Sequence, residues 1–389
     1  MLFAFLAQIG RCKLCRLCLF LEETDLKAVF VTNYMNHHQK PLWEEFIKHV
    51  DDFKFIACSE LTEERRSMGY HTYDLPYLIQ YTPENADAIE KMVLDADVVI
   101  FGEKPQPLFK KRLMTNKLTL IFSERLFKKP GSDLLRPLKN LKLRKKYLAN
   151  KNTPPFLLCA GAYVEQDYVS FGYPKGKALK WGYFPEMSLK PLDELEGRKS
   201  EKLTLLWASR FIAWKHPEIA IEIASYLKEK RVDFQLKMLG NGELFEDMKE
   251  LVRQQGLEDF ITMPGAVSPE EVKLEMEKAH IFLMTSDRQE GWGAVVNEAM
   301  SCACTVLSTA YPGCVPYLLK HRENGIIVDT EDFAKSAYDL SQDLPFCHKL
   351  GRHAYQTIHE EWNYTVAAKR LVEFINTKTV YDDGPLSYN

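Results

Sequence analysis

Short apolar runs alternate with longer stretches of helical periodicity from about residue 27 to residue 328. A continuous apolar run of four to eight residues reads as a strand covered on both faces, and strands of that kind pair in parallel with a helix over each crossover. The repetition confines the chain to an α/β architecture with parallel sheets. Strands are expected near 27–32, 53–58, 97–102, 118–123 and 155–160, then near 203–208, 234–239, 260–263, 280–285, 304–308 and 325–328. The segment 333–377 reads as mostly helical. Between the two sets of strands the sequence turns polar, with Pro185, Pro191 and Gly197 and no apolar period, which marks a linker. With 389 residues there is room for two domains of ordinary size. The expected division is an extension over 1–22, a first domain over 23–185, a linker over 186–202, a second domain over 203–360, and a terminal helix and tail over 361–389.

Composition narrows the class. The chain is 46% hydrophobic and 27% charged, as in globular proteins, and no apolar run approaches the ~18 residues of a membrane span. Nine scattered cysteines, an odd number, argue against a disulfide framework and for a reducing cytoplasm. The first nine residues are apolar but lack a basic start and a small-residue cleavage site, so a secretory signal is not expected. Cys12, Cys15 and Cys18 have a metal-ligand spacing without a matching fourth ligand, and a poorly ordered extension is expected there instead.

The richest segment is the strand His280–Thr285 followed by Glu290, Gly291, Trp292 and Gly293 and then the helical run Ala294 to Met300, which carries Glu298. A helix start offers unpaired N–H groups and the positive end of a dipole, and flanking glycines let a ligand come close. Two carboxylates beside an anion site suit a ligand that carries hydroxyls as well as phosphate, such as a sugar nucleotide. The alternative is that both glutamates simply favour a helix N-terminus. Upstream, the strand Leu205–Ala208 leads into a loop with Arg210 and Lys215 before Pro217 opens a helix. An arginine and a lysine at the carboxyl end of a parallel strand can clamp a diphosphate.

Taken in order with Ser308 to Pro316 and Glu323 to Val328, these motifs resemble the carboxyl-terminal half of the retaining, nucleotide-sugar-dependent glycosyltransferases, the family of sucrose synthase and many bacterial mannosyltransferases. The resemblance covers roughly residues 200–330. It implies two Rossmann-like domains whose parallel sheets face a central cleft, the GT-B arrangement. The donor would sit on the second domain and the acceptor would face the first. The resemblance also implies that a last helix, Thr365 to Asn376, crosses back onto the first domain.

By the same resemblance, Arg210 and Lys215 would neutralise the leaving diphosphate, Glu298 would hold the ribose, and Glu290 the hydroxyls of the transferred sugar. Backbone amides around Gly291, Trp292 and Gly293 would hold the β-phosphate and sugar, Gly240 and Gly242 would shape the loop beside the nucleotide, and Val267 would lie against the base. A plain strand–helix turn explains the two glycines nearly as well. The family usually has Lys-Gly where this chain has Lys215-His216, and usually a Gly-rich loop where this chain has Thr32 to Gln39. His37 and His38 stand where a general base or phosphate contact would sit, or where they would cap the following helix. Ser123-Glu124-Arg125 replaces a histidine common in the family, leaving Glu124 to face sugar or acceptor. The implied reaction is retaining hexosyl transfer from a nucleoside-diphosphate sugar to a glycan or lipid-linked glycan, in cell-surface polysaccharide synthesis. No cofactor and no metal are expected, since cations and helix dipoles meet the charge. Rival readings are a nucleotide-sugar 2-epimerase of similar fold and a non-enzymatic docked scaffold. A phosphorylase would need a pyridoxal phosphate lysine that is not evident.

Charge is unevenly spread. Residues 110–151 hold fourteen basic side chains against two acids, a local net of +12 in a chain whose total is −3. Leu134, Leu138, Leu141 and Leu148 fall at helical spacing among these cations. Such a helix lies on an anionic membrane surface or packs its leucines inward, and both placements stay open. Nucleic acid is not an expected partner, for want of stacking aromatics or a base-reading motif. The expected location is cytoplasmic, with a peripheral position on the inner face of the membrane if the basic helix docks.

Overall fold

A computed structural model describes residues 26–62, 66, 71–102, 106–129, 136–148 and 154–389. The expected extension over 1–22, with Cys12, Cys15 and Cys18, lies outside the described residues, as does Leu134.

Two parallel sheets make up the molecule. The first joins β1 (Lys27–Thr32), β2 (Asp52–Ala57), β3 (Leu78–Gln80), β4 (Val98–Phe101), β5 (Leu118–Ser123), β6 (Phe156–Ala160) and β7 (Ala178–Trp181) in the order β3-β2-β1-β4-β5-β6-β7. The second joins β8 (Leu203–Ala208), β9 (Phe234–Leu239), β10 (Ile261–Gly265), β11 (Ile281–Met284), β12 (Thr305–Ser308) and β13 (Ile326–Ile327) in the order β10-β9-β8-β11-β12-β13. Every pairing within both sheets is parallel. Parallel pairing demands crossovers, and helices cover both faces, so the central strands bury both sets of side chains: β4 and β11 are buried at every position. In each sheet the order reverses next to the first strand, between β1 and β4 and between β8 and β11. The crevice beyond the strands' carboxyl ends at that reversal is where open α/β sheets take ligands.

Two strands were not expected from sequence. β3 is short and half-buried at a sheet edge, and β7 is a four-residue edge strand interrupted by Lys180. The polar stretch before β8 also holds a helix, Leu192–Gly197, which buries Leu195. Helix starts follow local chemistry. Ser268 and Glu271 form a reciprocal capping box at the start of helix Pro269–Lys278, satisfying two backbone donors.

The two halves share one apolar cluster that includes Trp181, Phe184, Trp292 and Trp362. Helix Tyr364–Thr377 leaves the second sheet and packs on helix Lys40–Phe46 of the first, with Phe374 edge-on to Phe156 at 4.9 Å. The terminal residues then run antiparallel to β7, where Lys180 donates to the Ser387 carbonyl and Leu386 donates back, both at 2.8 Å. That backbone pairing covers an otherwise open sheet edge.

Candidate active site

The site is built at the carboxyl end of β11. Here Gly293 takes φ +97°, a left-handed value that glycine adopts without a Cβ penalty, and caps helix Ala294–Ser301. Gly291 lies close to side chains of the first domain: a Cβ there would lie 2.6 Å from Lys128 Nζ and closer still to the Glu124 carboxylate. The turn therefore sits hard against the first domain.

From the β8 loop, Lys215 reaches across to form an ion pair with Glu290, both about nine-tenths buried. Lys215 Nζ also lies 4.4 Å from the Trp214 ring centroid, and Arg210 lies 5.7 Å from the same centroid. The Lys215 backbone carbonyl accepts from Thr285 Oγ1 at 2.6 Å, which ties the β8 loop to the end of β11. The family's Lys-Gly step becomes intelligible at His216, which takes φ +50° and so occupies the conformation a glycine would supply. His216 Nδ1 shares a 2.7 Å hydrogen bond with Glu218, and Nε2 lies 3.6 Å from Asp287.

Glu298 is in the first turns of the helix, with 28% of its side chain exposed. Burial is the main influence on its carboxyl and pushes the pKa up to about 7, against a smaller opposing pull from Lys273. Facing it is His38, whose Nδ1 lies 3.6 Å from Glu298 Oε1. Burial and the neighbouring His37 push the His38 imidazole down to about 3. His37 is lowered as well, by burial first and then by His71. The two histidines thus reach the cleft rather than capping the next helix, whose N-cap Gln39 makes no side-chain cap bond.

Glu124, after β5, closes the opposite wall. It pairs with Lys128 and accepts a hydrogen bond from Tyr183 OH at 2.9 Å. Gly240 takes φ +128° and packs against the Ser209 carbonyl, while Gly242 abuts Phe211. These glycines let the β8 and β9 loops touch. Val267 lines a cavity of about 260 Å³ with Leu239, Pro264, Lys237, Glu271, Leu274 and Glu275.

The Trp292 side chain points away from the ligand face of the turn. The Trp292 side chain is 2% exposed and lies in the core shared by the two domains, against Gly182, Tyr317 and Trp362, with its indole N–H donating to Asn297 at 2.9 Å. Its carbonyl is also taken, by the Cys314 N–H. Trp292 therefore anchors the turn from behind. Sequence reasoning also missed Gly161, after β6, which takes φ +125° and brings its Cα face onto Gly291 and Gly313. Ala162 N–H donates to the Gly313 carbonyl at 2.9 Å, and Tyr163 OH to that of Ala310 at 2.5 Å. Only the glycine itself hinted at this contact.

The basic helix Arg136–Tyr147 exposes Leu138 (69%) and Leu141 (59%), whereas Leu143 and Leu148 pack on the first domain's core. Among the described residues no helix is long and apolar enough to cross a membrane. Six described cysteines form no disulfide.

Residues 192–357 match the family described as Glycosyl transferases group 1. The chain is similar to the putative colanic acid biosynthesis glycosyltransferase WcaL of Escherichia coli (strain K12), 28% identical over 182 residues, or 44% of this chain and 45% of that protein. It is also similar to the amylovoran biosynthesis glycosyltransferase AmsK of Erwinia amylovora, 27% identical over 218 residues, or 53% of this chain and 52% of that one. The matched part spans about half the length of these curated relatives. Among solved structures, Anabaena Alr3699/HepE in complex with UDP superposes with a TM-score of 0.67 at 13% identity, covering 90% of this chain and all of that one. The lipopolysaccharide outer core galactosyltransferase WaaB gives 0.64 at 14%, covering 91% and 100%. At such identity the likeness speaks to fold alone. The chain thus has the two-domain, parallel-sheet GT-B fold, and within it residues 192–357 match the group 1 glycosyl transferases.

Proposed function

We propose that this chain is a retaining hexosyltransferase that moves a sugar from a nucleoside diphosphate to a glycan or lipid-linked glycan during cell-surface polysaccharide synthesis. The observation that carries this reading is the convergence of the Lys215–Glu290 pair, the Gly291–Gly293 turn and Glu298 on one helix start, opposite Glu124 and the two histidines. The named roles of WcaL, AmsK and WaaB in surface-polymer synthesis, and the UDP and glucose held by HepE, support it.

In this reading the base lies against Val267 and the ribose hydroxyls donate to Glu298. Lys215 exchanges its partner when donor enters: it turns from Glu290 to the diphosphate, which leaves Glu290 to accept from the sugar's hydroxyls. Arg210 adds a second cation. As the bond between C1 and the phosphate oxygen breaks, negative charge grows on the departing diphosphate beside fixed cations and a helix start, the arrangement that lowers such a barrier most. The acceptor oxygen then bonds to C1 from the same face, and its proton passes to the leaving phosphate oxygen. Fixed charge suffices, so transfer proceeds without a metal ion or cofactor. Glu124, held by Tyr183 and Lys128, positions the acceptor hydroxyl.

Replacing Glu298 with Ala is expected to abolish transfer and weaken sugar-nucleotide binding while the protein stays folded; a variant with full activity ends the assignment. Product formed from donor alone would favour a 2-epimerase instead. The exposed Leu138 and Leu141 beside Lys139, Lys142, Arg144 and Lys145 favour docking of the first domain on an anionic membrane, at the cytoplasmic face. Reversing Arg144, Lys145 and Lys146 should release the protein from anionic vesicles, and a wild type that never sediments with them overturns that part.

A further inference from the structure

The cleft also places two histidines, for which sugar-nucleotide binding has no stated need, beside Glu298. His37 and His38 come from the loop after β1, and Glu298 comes from the second domain. One ligand atom from each of the three lies within 4.8 Å of the others. The two imidazole rings are 3.8 Å apart, centroid to centroid. Nδ1 of His38 is shielded from solvent and makes no hydrogen bond, yet faces the Glu298 carboxylate at 3.6 Å. With the His38 proton on Nε2 and Glu298 ionised, the Nδ1 lone pair and the carboxylate oxygen face each other, and a cation between them would accept from both.

The spacing suits a small ion. Donors about 2.1 Å from a tetrahedral ion lie roughly 3.4 Å from one another, so the His38–Glu298 distance is already close to that value. The donor types decide which ion. Two imidazoles with one carboxylate select zinc and its borderline neighbours, whereas magnesium and calcium prefer oxygen alone.

We propose that His37, His38 and Glu298 bind a zinc-class divalent cation that bridges the two domains and clamps the cleft shut. Three protein ligands leave a fourth position for water. The site does not depend on the proposed function, but one consequence does: if Glu298 holds the donor's ribose, the ion and the sugar nucleotide compete for it. Zinc would then inhibit transfer.

Calorimetric titration of the full chain with ZnCl₂ and, separately, MgCl₂ tests the site. One zinc equivalent and no magnesium binding are expected. The double variant His37→Ala with His38→Ala should lose that equivalent, and Glu298→Gln should weaken it by about tenfold or more. Far-ultraviolet circular dichroism checks that each variant is folded, and Glu298→Gln, nearly isosteric, serves if the double variant is not. Zinc affinity unchanged in either folded variant, or no preference for zinc over magnesium, overturns the proposal. Competition is read by titrating UDP-sugars into the zinc-loaded chain. Displacement of zinc supports the shared use of Glu298. Simultaneous binding overturns the competition and the ribose role of Glu298, while leaving the metal site in place.

Discussion

Gly161→Ala probes the contact that holds the catalytic turn. At Gly161 the backbone takes φ +125°, a region almost closed to residues with a Cβ, at a cost of about 1–3 kcal/mol. The added Cβ would lie 2.9 Å from the Gly291 carbonyl oxygen and 3.1 Å from Gly313 Cα, where ordinary contact begins at 3.4 Å. Both neighbours are backbone, so no side chain can swing aside. The turn must move by about half an ångström, or the domains must part by as much, and the 2.9 Å bond from Ala162 to Gly313 weakens with them. Such a bond contributes about 1 kcal/mol. The sum is a loss of roughly 2–4 kcal/mol, read from the shift of the urea midpoint. A misplacement of about 1 Å costs roughly a hundredfold in rate, so half of that predicts a fall of about tenfold in kcat, measured well below the unfolding transition. Gly197→Ala, where a Cβ meets nothing within 4 Å, is the control and should leave both quantities unchanged. If Gly161→Ala melts and turns over like the wild type, the three-glycine contact does not exist in solution and the reasoning fails. Lost stability with intact kcat would mean that the contact joins the domains without aligning the turn.

Other perturbations give separate checks. Lys215→Ala should lower kcat by at least a hundredfold, because it removes a cation aimed at developing charge and leaves Glu290 buried without its partner; equal kcat would remove Lys215 from the reaction. The Glu298 carboxyl, raised from 4.5 to about 7, favours its neutral form in the folded state, so its contribution to stability is full below pH 4.5 and is lost as pH rises towards 7. Donor binding, which uses the ionised form, should run the other way and weaken as pH falls below about 7; Glu298→Gln should flatten both profiles, and a wild-type donor affinity constant from pH 5 to 8 would refute the role. Leu138→Ser with Leu141→Ser should reduce sedimentation with anionic vesicles and leave soluble-acceptor turnover unchanged, since neither leucine packs in the core; unaltered sedimentation would assign docking to charge alone.

Expected strands and observed ones agree best where the apolar run is continuous, as in Val98–Phe101 and Ile281–Met284, because central parallel strands must bury both faces. The agreement fails at the edges. Leu78–Gln80 is short and only half-buried, and Ala178–Trp181 is four residues interrupted by Lys180, so neither sequence carries a run long enough to differ from a loop. Site residues divide in a similar way. Gly293 and the helix start after it were legible because a left-handed turn demands a particular residue. The burial of Trp292 was not, since a tryptophan beside a ligand turn and one beneath it look alike in one dimension. Leu138 and Leu141 share their spacing with buried residues, and only the packed neighbours reveal that they face outward.

The sequence by itself determined the α/β class, the run of strands and helices, and the chemistry of the loops at their carboxyl ends, because those depend on local periodicity, backbone preference and residue type. Tertiary structure alone decided that Lys215 pairs with Glu290, that His38 faces Glu298, and that Gly161 meets Gly291 and Gly313. Each of those contacts joins segments 75 or more residues apart. Their distances follow from how two sheets and their connecting core settle against one another, and no local rule encodes that.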